Sequence, residues 1–229
     1  MSTPNSTAAI TASATATTAT TASAASAQAL DIVVAGVGGQ GTVLASKLLA
    51  QAALQQGLPV RTAETIGMAQ RGGSVLGHVR IGESIASPLV PLSAADLIIG
   101  FEPGETVRSL PYLRPGGNVV TAIKVVEPVT ATLSEQPYDG SAELAYLREL
   151  ATSGSISQLI EVDGEAATAY LGSSKVLNVV LLGAASAILP AGLISLAALE
   201  QAIETLVKPQ FIELNKRALA YSPSHGKLA

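Results

Sequence analysis

The sequence predicts an α/β fold, with an open sheet, an inserted β-hairpin and a helical C-terminal third. The run Asp31-Ile-Val-Val-Ala35, apolar after its first residue, breaks into a glycine-rich turn and continues as a helical pattern, which is the order strand, turn, helix. Further apolar runs of strand length alternate with helical patterns, and the last third is helical. With 229 residues, the chain is long enough for one such domain.

The turn after the first strand has G-x-G-x-x-G spacing and predicts a Rossmann-like start to the domain. Glycine allows backbone conformations that a β-carbon forbids, and it allows close approach to a phosphate or a neighbouring strand. The following helix directs unpaired N–H groups toward the turn, so we expect either a nucleotide-like group or a partner protein there. The candidate cofactor-binding residues are Gly36, Gly38, Gly39, Gln40, Gly41 and Thr42.

The termini differ in composition from the rest of the chain. Residues 1–29 are mostly Ala, Thr and Ser without hydrophobic periodicity, which predicts a disordered low-complexity tail that is neither a secretory signal nor a transit peptide. We expect the folded α/β domain to span residues 30–221 and residues 222–229 to be a flexible C-terminus.

Composition excludes several classes of function. A net charge of −4 argues against nucleic-acid binding, and the absence of cysteine excludes a cysteine-held zinc or iron–sulfur site on this chain. The lack of disulfides fits the cytoplasm. Only 13% of residues are charged, which favours a surface partly covered by a partner. The apolar run 176–189 is too short to span a bilayer and predicts a buried helix.

The first half of the domain is predicted as follows. A helix from residue 40 to about 56 carries one polar line, and strands follow at 59–64 and 75–81. In the second of these, His78 and Arg80 share a face that we expect to be half-exposed. Gly82 and Glu83 suit a hairpin turn, so residues 84–88 are predicted to pair back antiparallel. A buried strand at 95–101 then leads into a helix that ends near residue 113.

The second half begins with a turn at 114–117 and a strand at 118–122, after which Pro128 and Pro137 leave residues 124–140 ambiguous. A helix at 142–152 and a strand at 157–162 follow. Asp163 is predicted to cap a short helix that reaches residue 171. The last three helices are predicted at 174–189, 195–207 and 209–221.

A second glycine-rich loop at residues 65–74 follows the second strand, at the sheet edge where open α/β sheets bind ligands. Its guanidinium, on Arg71, suits a carboxylate or phosphate clamp, but a solvated arginine or a pair across a subunit interface explains it equally well. The partner- or substrate-facing candidates are Met68, Gln70, Arg71, Gly72 and Gly73.

Side chains for catalysis are scarce. Glu64 is in range to hold a ribose, and His78 could serve acid–base chemistry, although a structural role is favoured. Glu102 follows a buried strand at the ligand-facing edge without a histidine or metal-ligand cluster nearby in sequence. Because no nucleophile–base arrangement can be assembled, we expect no catalytic side chain and no metal site on this chain.

Several motifs together resemble a known family. These are Gly36-Val-Gly-Gly-Gln-Gly-Thr42, Gly67-Met-Ala-Gln-Arg-Gly-Gly-Ser74, His78-Val-Arg-Ile-Gly-Glu83, Asp96-Leu-Ile-Ile-Gly-Phe-Glu-Pro103, Asn178-Val-Val-Leu-Leu-Gly-Ala184 and Phe211-Ile-Glu-Leu-Asn215. They resemble the gamma-type subunit of the 2-oxoacid:ferredoxin oxidoreductase family. The second loop is most like that of the beta subunit of indolepyruvate ferredoxin oxidoreductases.

The resemblance implies a non-catalytic subunit of a heteromeric complex that oxidatively decarboxylates indolepyruvate and other aryl 2-oxoacids to acyl-CoA and reduces ferredoxin. It also implies that a large partner subunit holds thiamine diphosphate, magnesium and the iron–sulfur clusters, and that coenzyme A is a substrate. This chain would hold no cofactor alone, and its two glycine loops would face the ligand or the partner. Three alternatives remain: a gamma subunit for pyruvate or another 2-oxoacid, a stand-alone NAD-binding enzyme, and a module that senses a nucleotide or acyl-CoA.

Overall fold

The computed structural model describes residues 29–66, 72–126, 138–190 and 192–221. Its sheet has six strands in the order β2-β3-β1-β4-β5-β6. Strand β3 runs antiparallel to both of its neighbours, whereas β1, β4, β5 and β6 are parallel. The strands are β1 (Leu30–Val37), β2 (Val60–Ile66), β3 (Ser74–Ile81), β4 (Ala95–Gly100), β5 (Leu113–Ala122) and β6 (Ile156–Val162).

Helices cover both faces of this sheet, and the central strands β1 and β4 are accordingly buried on both sides. The helices are α1 (Thr42–Gln55), α2 (Pro103–Ser109), α3 (Ser141–Thr152), α4 (Gly164–Leu171), α5 (Leu177–Ser186), α6 (Leu196–Leu206) and α7 (Ile212–Leu219). Along β1, Ile32 and Val34 belong to a core with α1 and α4–α7, and Val33 belongs to a second core with α2 and α3. The predicted α/β class with an open sheet and a helical C-terminal third is confirmed.

Several element predictions are confirmed closely. Asp163 caps α4 by accepting hydrogen bonds from the N–H groups of Glu165 and Ala166 at 2.9 and 3.0 Å. The apolar run 176–189 contains the buried helix α5. None of the helices in the described part of the chain has the length and apolar character that crossing a bilayer requires.

The prediction that residues 84–88 form a returning strand is wrong. Both edges of β3 are already paired, with β1 on one side and β2 on the other, so no free edge remains for a third strand. The inserted hairpin is instead formed by β2 and β3. Residues 84–88 form a non-strand segment, and backbone oxygens of Ser87 and Leu89 accept hydrogen bonds from Arg80.

Three boundaries also differ from the predictions. Residues 114–117 lie inside β5, where the register against β4 shifts between Ala95 and Leu97. Helices α5 and α7 are shorter than predicted, because short 3₁₀ turns at 174–176 and 209–211 precede them. The predicted tail (1–29, except Ala29), the segment 222–229 and most of the ambiguous region, at 127–137, lie outside the described residues.

Candidate functional site at the carboxyl edge of the sheet

The sheet has a topological switch point between β1 and β4. Helix α1, which follows β1, packs on one face, and α2, which follows β4, packs on the other. In open α/β sheets, ligands bind in the crevice outside the carboxyl ends of two such strands. The first glycine turn and the segment Phe101–Pro103 border that crevice.

The side chain of Gln40 bridges the crevice. Its Oε1 accepts a hydrogen bond from the backbone N–H of Val37 at 2.7 Å, and its Nε2 donates to the carbonyl oxygen of Phe101 at 2.8 Å. Gly36 makes room for this bridge, since a β-carbon there would lie 2.9 Å from Gln40 Oε1 and 2.8 Å from the Phe101 β-carbon. Gln40 therefore ties the end of β1 to the end of β4.

Gly39 and Gly41 have left-handed φ values of +105° and +87°. Gly39 is exposed, and a β-carbon on it would meet nothing within 4 Å. Gly41 is the N-cap of α1, where no side chain caps the helix and no acidic residue occupies the first turn. The N-terminal N–H groups of α1 thus keep the positive end of the helix dipole without a side-chain acceptor.

Asn178, the second residue of α5, packs against this helix start. A β-carbon on Gly41 would lie 2.8 Å from Asn178 Nδ2. Asn178 is 4% exposed, and its Oδ1 accepts from the N–H of Val179 at 3.0 Å. Among the described residues, Nδ2 has no hydrogen-bond acceptor, so a second donor stands beside the α1 N-terminus.

The two glycine loops meet through their backbones. Gly38 N–H donates to the carbonyl oxygen of Gly73 at 2.8 Å, and Gly72 N–H donates to that of Gly38 at 3.4 Å. The sequence-based expectation that both loops share one sheet edge is therefore confirmed for the described part of the second loop. Met68, Gln70 and Arg71 lie outside the described residues.

On the α2 side, two buried carboxyl groups border the crevice. Glu102 is 1% exposed and caps α2 by accepting from Glu105 N–H at 2.9 Å, while its other oxygen accepts from the Tyr138 hydroxyl at 2.6 Å. Glu105 accepts from the Ser74 hydroxyl at 2.6 Å and pairs with Arg108. Ser74 begins β3, so Glu105 ties the second loop to α2.

Burial raises the pKa of Glu102, and the nearby charge of Glu105 adds to that effect, whereas the hydrogen bonds from Tyr138 and from backbone N–H groups oppose it. Burial and the hydrogen bond to Glu102 raise the pKa of the Tyr138 phenol. The α2 side of the crevice therefore carries acidic groups, and the α1–α5 side carries hydrogen-bond donors.

His78 and Arg80 are structural. His78 is 2% exposed, so the expected half-exposed face is wrong at this position. Its Nδ1 accepts from Val90 N–H at 3.3 Å, and burial, with a smaller contribution from Arg80, lowers its pKa. Val90 belongs to the segment after β3 that covers this face, and Arg80 pairs with Asp31 at 2.7 Å.

Glu64 does not reach the first glycine turn. Strand β3 lies between β1 and β2, so Glu64 is two strand spacings from β1, about 10 Å. Within the described ranges, no group of three or more His, Asp or Glu side chains could hold a metal ion.

The structure thus assembles the predicted residues of the first loop with Gly72 and Gly73, and it adds Asn178, Glu105 and Tyr138. Asn178 could have been found as one of two polar residues inside the apolar run 176–189, the other being Ser186. Tyr138 had no sequence signal, because it lies in the region that Pro128 and Pro137 leave ambiguous in the sequence. Thr42 is buried in the first turn of α1.

Residues 31–222 match the family model described as pyruvate ferredoxin/flavodoxin oxidoreductase. The chain belongs to this family. The family resemblance stated from the sequence is therefore confirmed, and the matched residues include both glycine loops and the C-terminal helices.

Two curated relatives carry the same name, indolepyruvate oxidoreductase subunit IorB. The protein of Thermococcus kodakarensis is 37% identical over 82% of this chain and 91% of the relative. That of Archaeoglobus fulgidus is 37% identical over 83% of this chain and 92% of the relative. The crystal structure of the pyruvate oxidoreductase subunit PORC of Thermotoga maritima has the same fold, with a TM-score of 0.59 and 23% identity over 84% of this chain and 94% of that chain.

Proposed function

We propose that this family member is the small, non-catalytic subunit of an indolepyruvate:ferredoxin oxidoreductase. The observation that carries the proposal is the 37% identity, over more than four fifths of the chain, to relatives named as indolepyruvate oxidoreductase subunits. The complex would oxidatively decarboxylate indolepyruvate and other aryl 2-oxoacids to acyl-CoA and pass the electrons to ferredoxin. A gamma subunit for pyruvate or another 2-oxoacid is the competing assignment.

The proposal assigns the cofactors and the partner as follows. Thiamine diphosphate, magnesium and iron–sulfur clusters belong to a large partner subunit, and coenzyme A enters as substrate. The sequence supports this division, since a chain without cysteine cannot supply the thiolates that normally hold an iron–sulfur cluster. We place the complex in the cytoplasm, where a chain without disulfides and a ferredoxin acceptor both fit.

Within the complex, the first glycine turn would face the ligand. Three features support an anionic group there: the uncapped α1 N-terminus, the exposed Gly39 and the Asn178 amide donor beside Gly41. Gln40 contributes by holding the turn rigid, because both ends of its amide are bonded to backbone. Met68, Gln70 and Arg71, with Gly72 and Gly73, are proposed as the partner- or substrate-facing part of the second loop.

Co-expression with the large subunit tests this assignment. We expect the purified complex to reduce ferredoxin only when both coenzyme A and indolepyruvate are present, and we expect this chain alone to be inactive. Pyruvate and 2-oxoglutarate serve as matched alternative substrates. A complex that prefers pyruvate or 2-oxoglutarate would contradict the assignment of indolepyruvate as the substrate. Tight NAD binding by the isolated chain would contradict the whole proposed function.

A further inference from the structure

An apolar groove of about 290 Å³ lies on the α1 face of the sheet. It is formed where the first turn of α1, the 3₁₀ turn before α5, the end of α6 and the start of α7 meet. Its apolar walls are Leu44, Val176, Leu206, Phe211 and Leu214. We call it the α1–α7 groove.

Two large apolar side chains of the groove are open to solvent. Phe211 is 46% exposed and Leu206 is 42% exposed. Single exposed leucines are common on protein surfaces, but an aromatic and an aliphatic side chain that line one concavity are typical of an interaction surface. Side chains left this open line a shallow groove, whereas small-molecule sites usually enclose most of their ligand.

The groove is positively charged although the chain is acidic overall. Lys175 and Lys208 line it together with the neutral residues Ser173 and Asn215, and no lining residue is acidic. Neither lysine forms an ion pair with another described residue, while the whole chain has a net charge of −4. A complementary surface would therefore carry carboxylates around an apolar centre.

The groove is continuous with the proposed ligand-facing edge. Leu44 lies in the first turn of α1, three residues after the N-cap Gly41, and Val176 lies two residues before Asn178. A partner that contacts the two glycine loops can extend into the groove without crossing the domain. This continuity favours the large subunit over an unrelated partner.

We propose that the α1–α7 groove docks a segment of the large subunit in which apolar side chains are flanked by carboxylates. The apolar side chains pack on Phe211 and Leu206. The carboxylates pair with Lys175 and Lys208. This inference rests on the proposed function, because it takes the large subunit as the partner.

The test measures binding of the purified full-length chain to the purified large subunit of the proposed complex. Phe211→Ala should weaken binding at least 30-fold, as expected when the anchor of an interface is truncated. The double variant Lys175→Glu/Lys208→Glu should weaken binding about 100-fold at low ionic strength and lose the salt dependence of the parent chain. Circular dichroism and thermal unfolding confirm that each variant is folded.

Matched controls lie outside the groove. Leu92→Ala truncates a side chain that is 66% exposed, and Lys47→Glu reverses an exposed charge on α1. Both controls should bind the large subunit within twofold of the parent chain. A photo-crosslinking amino acid at position 211 should capture a large-subunit peptide that contains an apolar residue and at least one carboxylate, whereas one at position 92 should not.

The outcomes separate this inference from the proposed function. If the parent chain binds the large subunit and the groove variants bind equally well, the docking site is wrong and the proposed function stands. If Phe211→Ala abolishes self-association of the chain but not the complex, the groove joins two copies and the inference is again wrong. If the parent chain does not bind the large subunit, the proposed function and the inference both fail.

Discussion

Replacing Gln40 with alanine should destabilise the domain by removing the bridge between β1 and β4. Both backbone groups that the amide satisfies belong to buried residues, since Val37 is 3% exposed and Phe101 is 0% exposed. Each lost hydrogen bond that leaves a buried partner unpaired costs about 1–3 kcal/mol. Because Gln40 itself is half-buried, water replaces part of the loss, and we expect a total of about 3 kcal/mol.

Urea denaturation and thermal unfolding measure this loss. In a domain of this size, about 3 kcal/mol corresponds to a fall in Tm of roughly 6–12 °C, with an unchanged urea m-value. The matched control is Gln51→Ala, which removes the same amide from another half-buried position of the chain, where it forms no hydrogen bond with a described residue. It should cost less than about 0.5 kcal/mol.

Gln40→Glu sharpens the test. One carboxylate oxygen can still accept from Val37 N–H. The other oxygen replaces the donor Nε2 and lies opposite the Phe101 carbonyl oxygen, so that two acceptors repel each other. We therefore expect Gln40→Glu to regain stability as the pH falls, because a protonated carboxyl can donate to that carbonyl. Equal stability losses for Gln40→Ala and Gln51→Ala, or a pH-independent Gln40→Glu, would refute the bridge.

Three further predictions concern the same edge of the sheet and its neighbour α4. Gly41→Ala should lower the free energy of unfolding, measured by urea denaturation, more than Gly39→Ala does. Both alanines would adopt a positive φ, which costs about 1–3 kcal/mol, but only the β-carbon at position 41 would also clash with Asn178. Equal losses would contradict that contact. Because folding raises the pKa of Glu102, the free energy of unfolding should fall as the pH rises from the ordinary carboxyl pKa through the raised one. Glu102→Gln should remove this pH dependence, which urea denaturation across the same pH range measures. Asp163→Ala should cost about 1 kcal/mol and fray α4, measured by hydrogen exchange, while unchanged protection would show that the cap is dispensable.

Local patterns predicted the individual elements well, because each depends on its own residues. The apolar run and glycines of β1 and α1, the cap at Asp163 and the buried run of α5 all lie where the sequence predicted them. The alternation of β3 likewise predicted a strand. Alternation does not identify the neighbours of a strand. The sequence therefore predicts that residues 84–88 pair with an edge of β3 that β2 occupies in the structure.

The candidate site was predicted only as far as its backbone motifs. Glycine spacing located both loops, and the backbone bonds between Gly38 and Gly73 join them as expected. The roles of side chains depended on contacts between residues far apart in sequence. Gln40 bonds to Phe101, and Asn178 packs on Gly41, and neither contact leaves a periodic signal.

The position of β3 leaves the glycine turn without the acidic partner that a dinucleotide-binding site needs. By separating β2 from β1, β3 moves Glu64 about 10 Å from the turn, so the acidic residue that would hold a ribose has no access to it. The crevice itself is bridged by Gln40, and the buried Glu102 and Glu105 make its α2 side unfavourable for a phosphate. The donors that remain, at the α1 N-terminus and on Asn178, lie on the opposite side. An anion that contacts this turn must therefore approach from the α5 side, next to the α1–α7 groove.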